Sequence, residues 1–231
     1  MMKTDPIPLA SNSLTEIAYI LDRSGSMLPM QEPAVAAFND FVQSQIDVPG
    51  EARLTLVQFD DHYEVPMLAL RLQNVPQLTA ATYVPRGSTA LLDAIGRTIR
   101  DLDTRFQKLS ASHQPAKVIL AIFTDGLENA SREYTAKHIG DLIHLYRETK
   151  GWEFLFLAAN QDAIASASVM NIDYAVAANV TFSAKGIKST GSALARKIRA
   201  SRLKASGQMD AAAEADGAMT LGAILREEES K

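Results

Sequence analysis

The chain has 231 residues, 47% of them apolar and 22% charged, with a formal net charge of −4 and no cysteine. That length accommodates one full domain with a short appendage, and the composition is that of an ordinary globular protein. The apolar runs, such as 118–123 and 154–159, fall far short of the roughly 18 residues that a membrane span needs. Residues 1–15 lack the apolar core and cleavage site of a signal peptide, so a cytoplasmic location is expected, with no membrane partner. The absence of cysteine excludes disulfides, thiolate metal sites and a Cys nucleophile. The small net charge is a cancellation between blocks. Residues 1–184 hold 14 Lys/Arg against 21 Asp/Glu, residues 185–206 hold 7 against 0, and residues 207–231 hold 2 against 6.

In chain order, residues 16–21 form a compact apolar run that reads as a strand. Residues 33–46 place Val35, Phe38, Phe41, Val42 and Ile46 on one face behind a first-turn proline, which predicts a helix. Residues 52–59 read as a strand, 60–63 as a turn and 64–72 as its antiparallel partner. A helical period through Leu91, Leu92, Ile95, Ile99 and Leu102 covers 89–106. Then come a buried strand at 117–123, a helix at 135–149, a buried strand at 152–158, a helix at 162–170 and a last strand at 175–182. Non-alternating apolar strands separated by helices indicate a parallel sheet covered on both faces. The expected fold is α/β and doubly wound: a mostly parallel six-stranded sheet with one antiparallel edge strand.

Residues 1–14 are expected to be an N-terminal extension and 15–206 the domain. Its closing amphipathic helix should bury Ile187, Leu194 and Ile198 and turn Arg196, Lys197, Arg199 and Arg202 outward as a basic surface. Residues 207–231 read as an acidic, Ala-rich tail, weakly ordered or a detachable helix, with a late apolar cluster of Leu221, Ile224 and Leu225.

Ligands of doubly wound sheets sit at the carboxyl ends of strands where the winding reverses, which singles out the loops after the first and fourth strands. The first carries Asp22, Ser24 and Ser26 around Arg23 and Gly25; the other carries Thr124, Asp125 and Gly126. Between them in sequence, Gly87-Ser88-Thr89 adds a hydroxyl. Asp22, Ser24, Ser26, Thr89 and Asp125 offer oxygen ligands without His or Cys, which suits a hard cation such as Mg²⁺ or Mn²⁺. Two carboxylates balance a divalent charge, and if both act through water the ion stays electrophilic enough to take a carboxylate from outside. Each residue also has a plainer reading: Asp22, Ser24 and Ser26 as a capping turn, and Thr89 as a helix N-cap. Asp93, one turn after Thr89, either buttresses the site as an outer acceptor, with Gly25 and Gly126 shaping the loops, or is solvated. Asp60 and Asp61 read as a hairpin turn, Arg23 as solvated or reaching a partner carboxylate, Trp152 as core, and His62, His113, His138 and His144 as surface or interface residues.

With these three segments in this order, the sequence resembles the von Willebrand factor A domain family and its metal-ion-dependent adhesion site, over roughly residues 16–202. The resemblance implies that Ser24 and Ser26 ligate directly, Thr89 directly or through water, and Asp22 and Asp125 mainly through water. An Asp or Glu of a partner protein would complete the shell, making the chain a binding module and not a catalyst. Residues 89–93, 125–129 and 160–162 look most like the small intracellular bacterial or phage members, whose partners include ATPases and larger assemblies. Two alternatives stand beside it. A nucleic-acid-associated role for the basic helix lacks a recognised motif or interleaved aromatics, and the acidic body offers that helix a docking surface. A metal-dependent hydrolase lacks a placed general base: Ser24 stands where a dehalogenase-type phosphatase needs a second Asp, and no Gly-x-Ser-x-Gly elbow or phosphate loop appears.

Overall fold

The computed structural model describes residues 14–159 and 163–231. Its sheet comprises β1 (Thr15–Asp22), β2 (Ala52–Phe59), β3 (Tyr63–Arg71), β4 (Lys117–Thr124), β5 (Glu153–Ala158) and β6 (Ala177–Asn179). The helices are α1 (Gln31–Ile46), α2 (Leu91–Gln107), α3 (Ala136–Lys150), α4 (Ala163–Val169), α5 (Ala184–Ser206), α6 (Ala211–Ala218) and α7 (Leu221–Ser230). The strand order is β3-β2-β1-β4-β5-β6, with β2 and β3 antiparallel and the other pairs parallel. Both faces are buried, as the apolar strands required. Ile17, Tyr19 and Leu21 of β1 enter one core layer with Phe38 and Phe41 of α1 and Leu194 and Ile198 of α5. The alternate residues Ala18 and Ile20 enter the other, with Ile95 and Ile99 of α2 and Ile139 and Ile143 of α3. Trp152 is buried there, as expected of a core residue. No helix among the described residues is long and apolar enough to cross a membrane.

Most element boundaries shift by one or two residues from the sequence reading, and the last strand shifts more. The last strand shrinks to three residues. Asp173 accepts from Ala175 N–H to start a 3₁₀ turn before it, and Ser183 accepts from Gly186 N–H to start α5 after it. The helix expected from 89 begins at Leu91. The start of the helix expected from 162, and the 160–162 segment of the family resemblance, lie outside the described residues, as do residues 1–13.

The larger differences lie at the C-terminus. Residues 211–230 form two capped helices packed on the domain in place of a loose tail: Asp210 accepts from Ala213 N–H, and Thr220 from Ala223 N–H. Leu221, Ile224 and Leu225 are at most 1% exposed and belong to the α1/α5 core layer. The acidic residues that suggested a solvated tail instead meet the basic helix. Arg196 pairs with Asp216, with Glu227 at 2.8 Å and with Glu228 at 2.9 Å, while Arg199 pairs with Asp210. Lys197 Nζ donates to the carbonyls of Asp216 and Gly217 at 3.2 and 3.0 Å. Arg202 does not face outward: it is 3% exposed and donates to the carbonyls of Gln45, Val48 and Gly50 at 2.7 to 2.9 Å, in the last turn of α1 and the segment just after it. The helical period put Arg202 off the apolar face, but α1 ends beside it and supplies polar partners. The expected basic surface of Arg196, Lys197, Arg199 and Arg202 is therefore largely consumed within the fold. α1 and α5 touch backbone to backbone, since a Cβ at Gly191 would stand 2.3 Å from the Ala37 carbonyl.

Ile224→Ala should lower unfolding stability by about 2–4 kcal/mol in urea titrations, the usual cost of emptying a buried aliphatic site. A loose tail would leave the midpoint unchanged.

Candidate metal centre

β1 and β4 are the neighbours at which the winding reverses, so their carboxyl ends open side by side. Asp22 ends β1 and Thr124 ends β4, and Thr124 Oγ1 donates to Asp22 Oδ2 at 2.5 Å. The other oxygen, Oδ1, accepts from Ser24 N–H at 2.7 Å, bending the chain so that successive hydroxyls return over the strand end. Ser24 Oγ lies 3.1 Å from Ser26 Oγ, and Ser26 Oγ donates to Asp125 Oδ1 at 2.9 Å. Tyr83 secures the turn by donating its hydroxyl to the Asp22 carbonyl at 2.5 Å. Backbone bonds tie the second loop to the first: Gly25 N–H to the Gly87 carbonyl at 3.1 Å, and Arg86 N–H to the Arg23 carbonyl at 2.8 Å. Thr89, 2% exposed, arrives from that second loop with its hydroxyl against Gly126, where a Cβ would come within 2.8 Å of Oγ1. The two loops seen in sequence at the strand ends and the Gly87-Ser88-Thr89 loop thus meet at one place.

The chemistry of this set fits a divalent cation. An octahedral shell at Mg²⁺–oxygen distances sets adjacent ligand oxygens about 3 Å apart, an edge that the hydrogen-bonded Ser24–Ser26 and Ser26–Asp125 oxygens, 3.1 and 2.9 Å apart, could take up without moving far. The electrostatics point the same way. Asp22 and Asp125 are 0% and 9% exposed, and neither takes part in an ion pair among the described residues. Burial without a counter-charge pushes the Asp22 carboxyl up to about 6, against partial relief from the Thr124 and Ser24 hydrogen bonds, and burial raises Asp125 as well.

Several assignments change. Ser24 precedes a 3₁₀ turn at Gly25–Met30, but its side chain makes no capping bond; Thr89 is not a cap either, because α2 starts after Ala90. Arg23 is 5% exposed and turned away from the carboxylates, paired to Asp60 at 3.1 Å and Glu64 at 2.7 Å. Asp60 is wholly buried and more than a turn residue: its carboxylate also takes Arg86 at 2.9 Å and His62 N–H at 2.5 Å. Asp60, Asp61 and His62 stand close enough to share an ion, but two guanidinium groups already hold Asp60. Asp93 is neither solvated nor turned to the five oxygens. Its carboxylate accepts from the backbone N–H groups of Arg132, Glu133 and Tyr134, each at 2.9 Å, and anchors the approach to α3. The four histidines are exposed. Sequence reasoning assigned no role to Tyr83, a lone aromatic without a periodic or motif signal, or to Asn129, which ends the 125–129 run of the family resemblance but offered no spacing that tied it to Thr89.

No known sequence family matches the chain, and no curated protein does. Solved structures do. The manganese-loaded TRAP protein of Plasmodium vivax aligns with a TM-score of 0.54 at 13% identity, covering 73% of this chain and 69% of that one. A von Willebrand factor type A protein of Catenulispora acidiphila aligns at 0.50 and 18% identity over 84% of this chain. The chain has the von Willebrand factor A fold. The SpaC pilus adhesin of Lactobacillus rhamnosus GG shares it, with a TM-score of 0.60, 14% identity and 81% of this chain covered. The chain spans only 42% of the Catenulispora protein and 31% of SpaC. In this von Willebrand A fold the candidate centre sits at the carboxyl tip of the sheet.

The folded chain holds the Asp22 proton up to about pH 6, while the ordinary carboxyl releases it near 3.8, so the folded state carries an extra proton between those values. In chelator, the protein should therefore lose stability as pH rises through that window. Asp22→Asn should flatten that dependence in denaturation curves recorded from pH 4 to 7; parallel curves for both proteins would contradict it.

Proposed function

We propose that this chain is a binding module that holds one divalent cation, Mg²⁺ or Mn²⁺, and uses it to grip an Asp or Glu side chain of a partner protein. The observation that carries the reading is the pair of buried, uncompensated carboxylates, Asp22 and Asp125, set beside hydroxyls at octahedral spacing. Ser24 and Ser26 would ligate directly, with Thr89 direct or through water. Asp22 already accepts one hydrogen bond on each oxygen, which favours a water-mediated role for it. Bound there, the ion supplies an electrophilic site for an incoming carboxylate. Leu28, Val84 and Leu127, one near each of the three loops, are 49–62% exposed and offer apolar surface to the rest of a protein partner.

The manganese in the Plasmodium structure and the adhesin identity of SpaC support this reading. A cytoplasmic setting, and an ATPase or larger assembly as the partner, belong to the proposal on the strength of the family resemblance alone. The nucleic-acid reading loses ground, because a polyanion would have to displace Asp210, Asp216, Glu227 and Glu228 from α5.

Mn²⁺ titration followed by electron paramagnetic resonance should show one bound ion, with Ser26→Ala and Asp125→Asn each weakening it at least about tenfold. Wild-type affinity in both variants would sink the metal reading. Partner capture from lysate should disappear in chelator and in Asp22→Ala. Capture that persists in both would keep the fold and remove the metal bridge.

A further inference from the structure

The Thr89 hydroxyl belongs to the second loop, but few of its restraints do. α2 begins without a cap of its own, since Ala90 offers no side-chain acceptor to the first turn. The segment after Asp125 does the holding. Asn129 Oδ1 accepts from Thr89 N–H at 2.9 Å, and the Thr89 carbonyl accepts from the N–H groups of Asn129 and Ala130 at 3.0 and 3.1 Å. Both polar backbone groups of Thr89 are thus spent on residues 129–130. Glu128 fixes the turn that presents them. Its carboxylate accepts from Leu92 N–H at 3.0 Å, in the first turn of α2, and from Ala130 N–H, Ser131 N–H and Ser131 Oγ at 2.7 to 3.0 Å. One carboxylate thereby joins the start of α2 to the loop that carries Asp125. Gly126 completes the arrangement by lying against Thr89 Oγ1 closely enough to exclude a Cβ.

We infer that Asn129 is the positioning residue for the Thr89 hydroxyl at the metal centre, with Glu128 holding the turn that presents it, so that the second and third loops offer their ligands as one unit. The inference rests on the metal reading above. It goes further by assigning control of metal affinity to a residue that need not touch the ion. Asn129 is exposed, so its replacement leaves the core layers intact. Outer partners that orient a metal's ligands commonly change affinity by about 10–100-fold when removed.

The test is a double-mutant cycle on the full chain, with Mn²⁺ as the probe and affinity read by electron paramagnetic resonance. Asn129→Ala and Thr89→Ala should each weaken Mn²⁺ binding about tenfold, and the double variant should bind no worse than Thr89→Ala alone. Asn129→Asp, which keeps the acceptor, should restore wild-type affinity. Asn129→Ala should still unfold in chelator as one cooperative urea transition, its midpoint lowered only by the lost acceptor of Thr89 N–H, which separates positioning from general loss of structure. Losses that multiply in the double variant overturn the inference, because Asn129 then acts on something other than Thr89. Wild-type affinity in Asn129→Ala, with Ser26→Ala still weakened, overturns it while leaving the metal centre standing. If Ser26→Ala and Asp125→Asn also bind normally, the metal reading has failed first.

Discussion

The tip of the sheet is organised around one buried carboxylate. Asp22 stands where the strand order reverses, takes a hydroxyl from the neighbouring strand end and a backbone N–H from its own loop, and forms no ion pair among the described residues. A charge in that position is costly unless something balances it. The neighbouring strands have spent their backbone groups on the ladder, so relief has to come from side chains or a ligand. The hydroxyls of Ser24 and Ser26 and the second carboxylate of Asp125 continue from Asp22 as one hydrogen-bonded chain across the two strand ends. Arg23 is the nearest cation in sequence, and Asp60 and Glu64 hold it elsewhere. That diversion keeps the centre negative.

The surrounding loops are fixed by polar clamps in addition to the core packing of Met27, Leu78 and Tyr83. Asp60 gathers Arg23 and Arg86 and thereby joins the first loop to the second. Glu128 and Asn129 join the second to the third. Loop backbones carry many unpaired donors, and a carboxylate that accepts several of them organises the chain in a way no aliphatic contact could. Such clamps would suit the proposed metal site, whose ligands would come from separate strand ends, since a Mg²⁺ shell tolerates little displacement of its oxygens.

Charge segregation along the chain finds its explanation at the other end of the molecule. The basic stretch of α5 and the acidic stretch that follows are partners within one fold, joined through Arg196, Arg199 and Lys197. Exposed pairs of this kind contribute little stability one by one. The three buried aliphatics of α7 supply the cohesion, and the ion pairs give the helices a fixed place.

The sheet and its order of helices and strands were legible in the sequence, because apolar runs report burial on both faces; the five oxygen-bearing residues proposed for the metal stood out there because such side chains cluster at strand ends. Composition misled where it averaged over partners. An Ala-rich acidic stretch looks solvated until its acids are matched to arginines more than ten residues away, and Arg202 looks exposed until the end of α1 offers it carbonyls. Asp93, Asp60 and Asn129 could not be assigned from spacing, since their roles are hydrogen bonds to backbone groups or ion pairs brought close only by the fold. Sequence by itself determined which residues could serve a metal and on which elements they lie. Only the tertiary structure decided which carboxylates stay uncompensated and which are consumed, because that depends on distances between loops far apart in the chain.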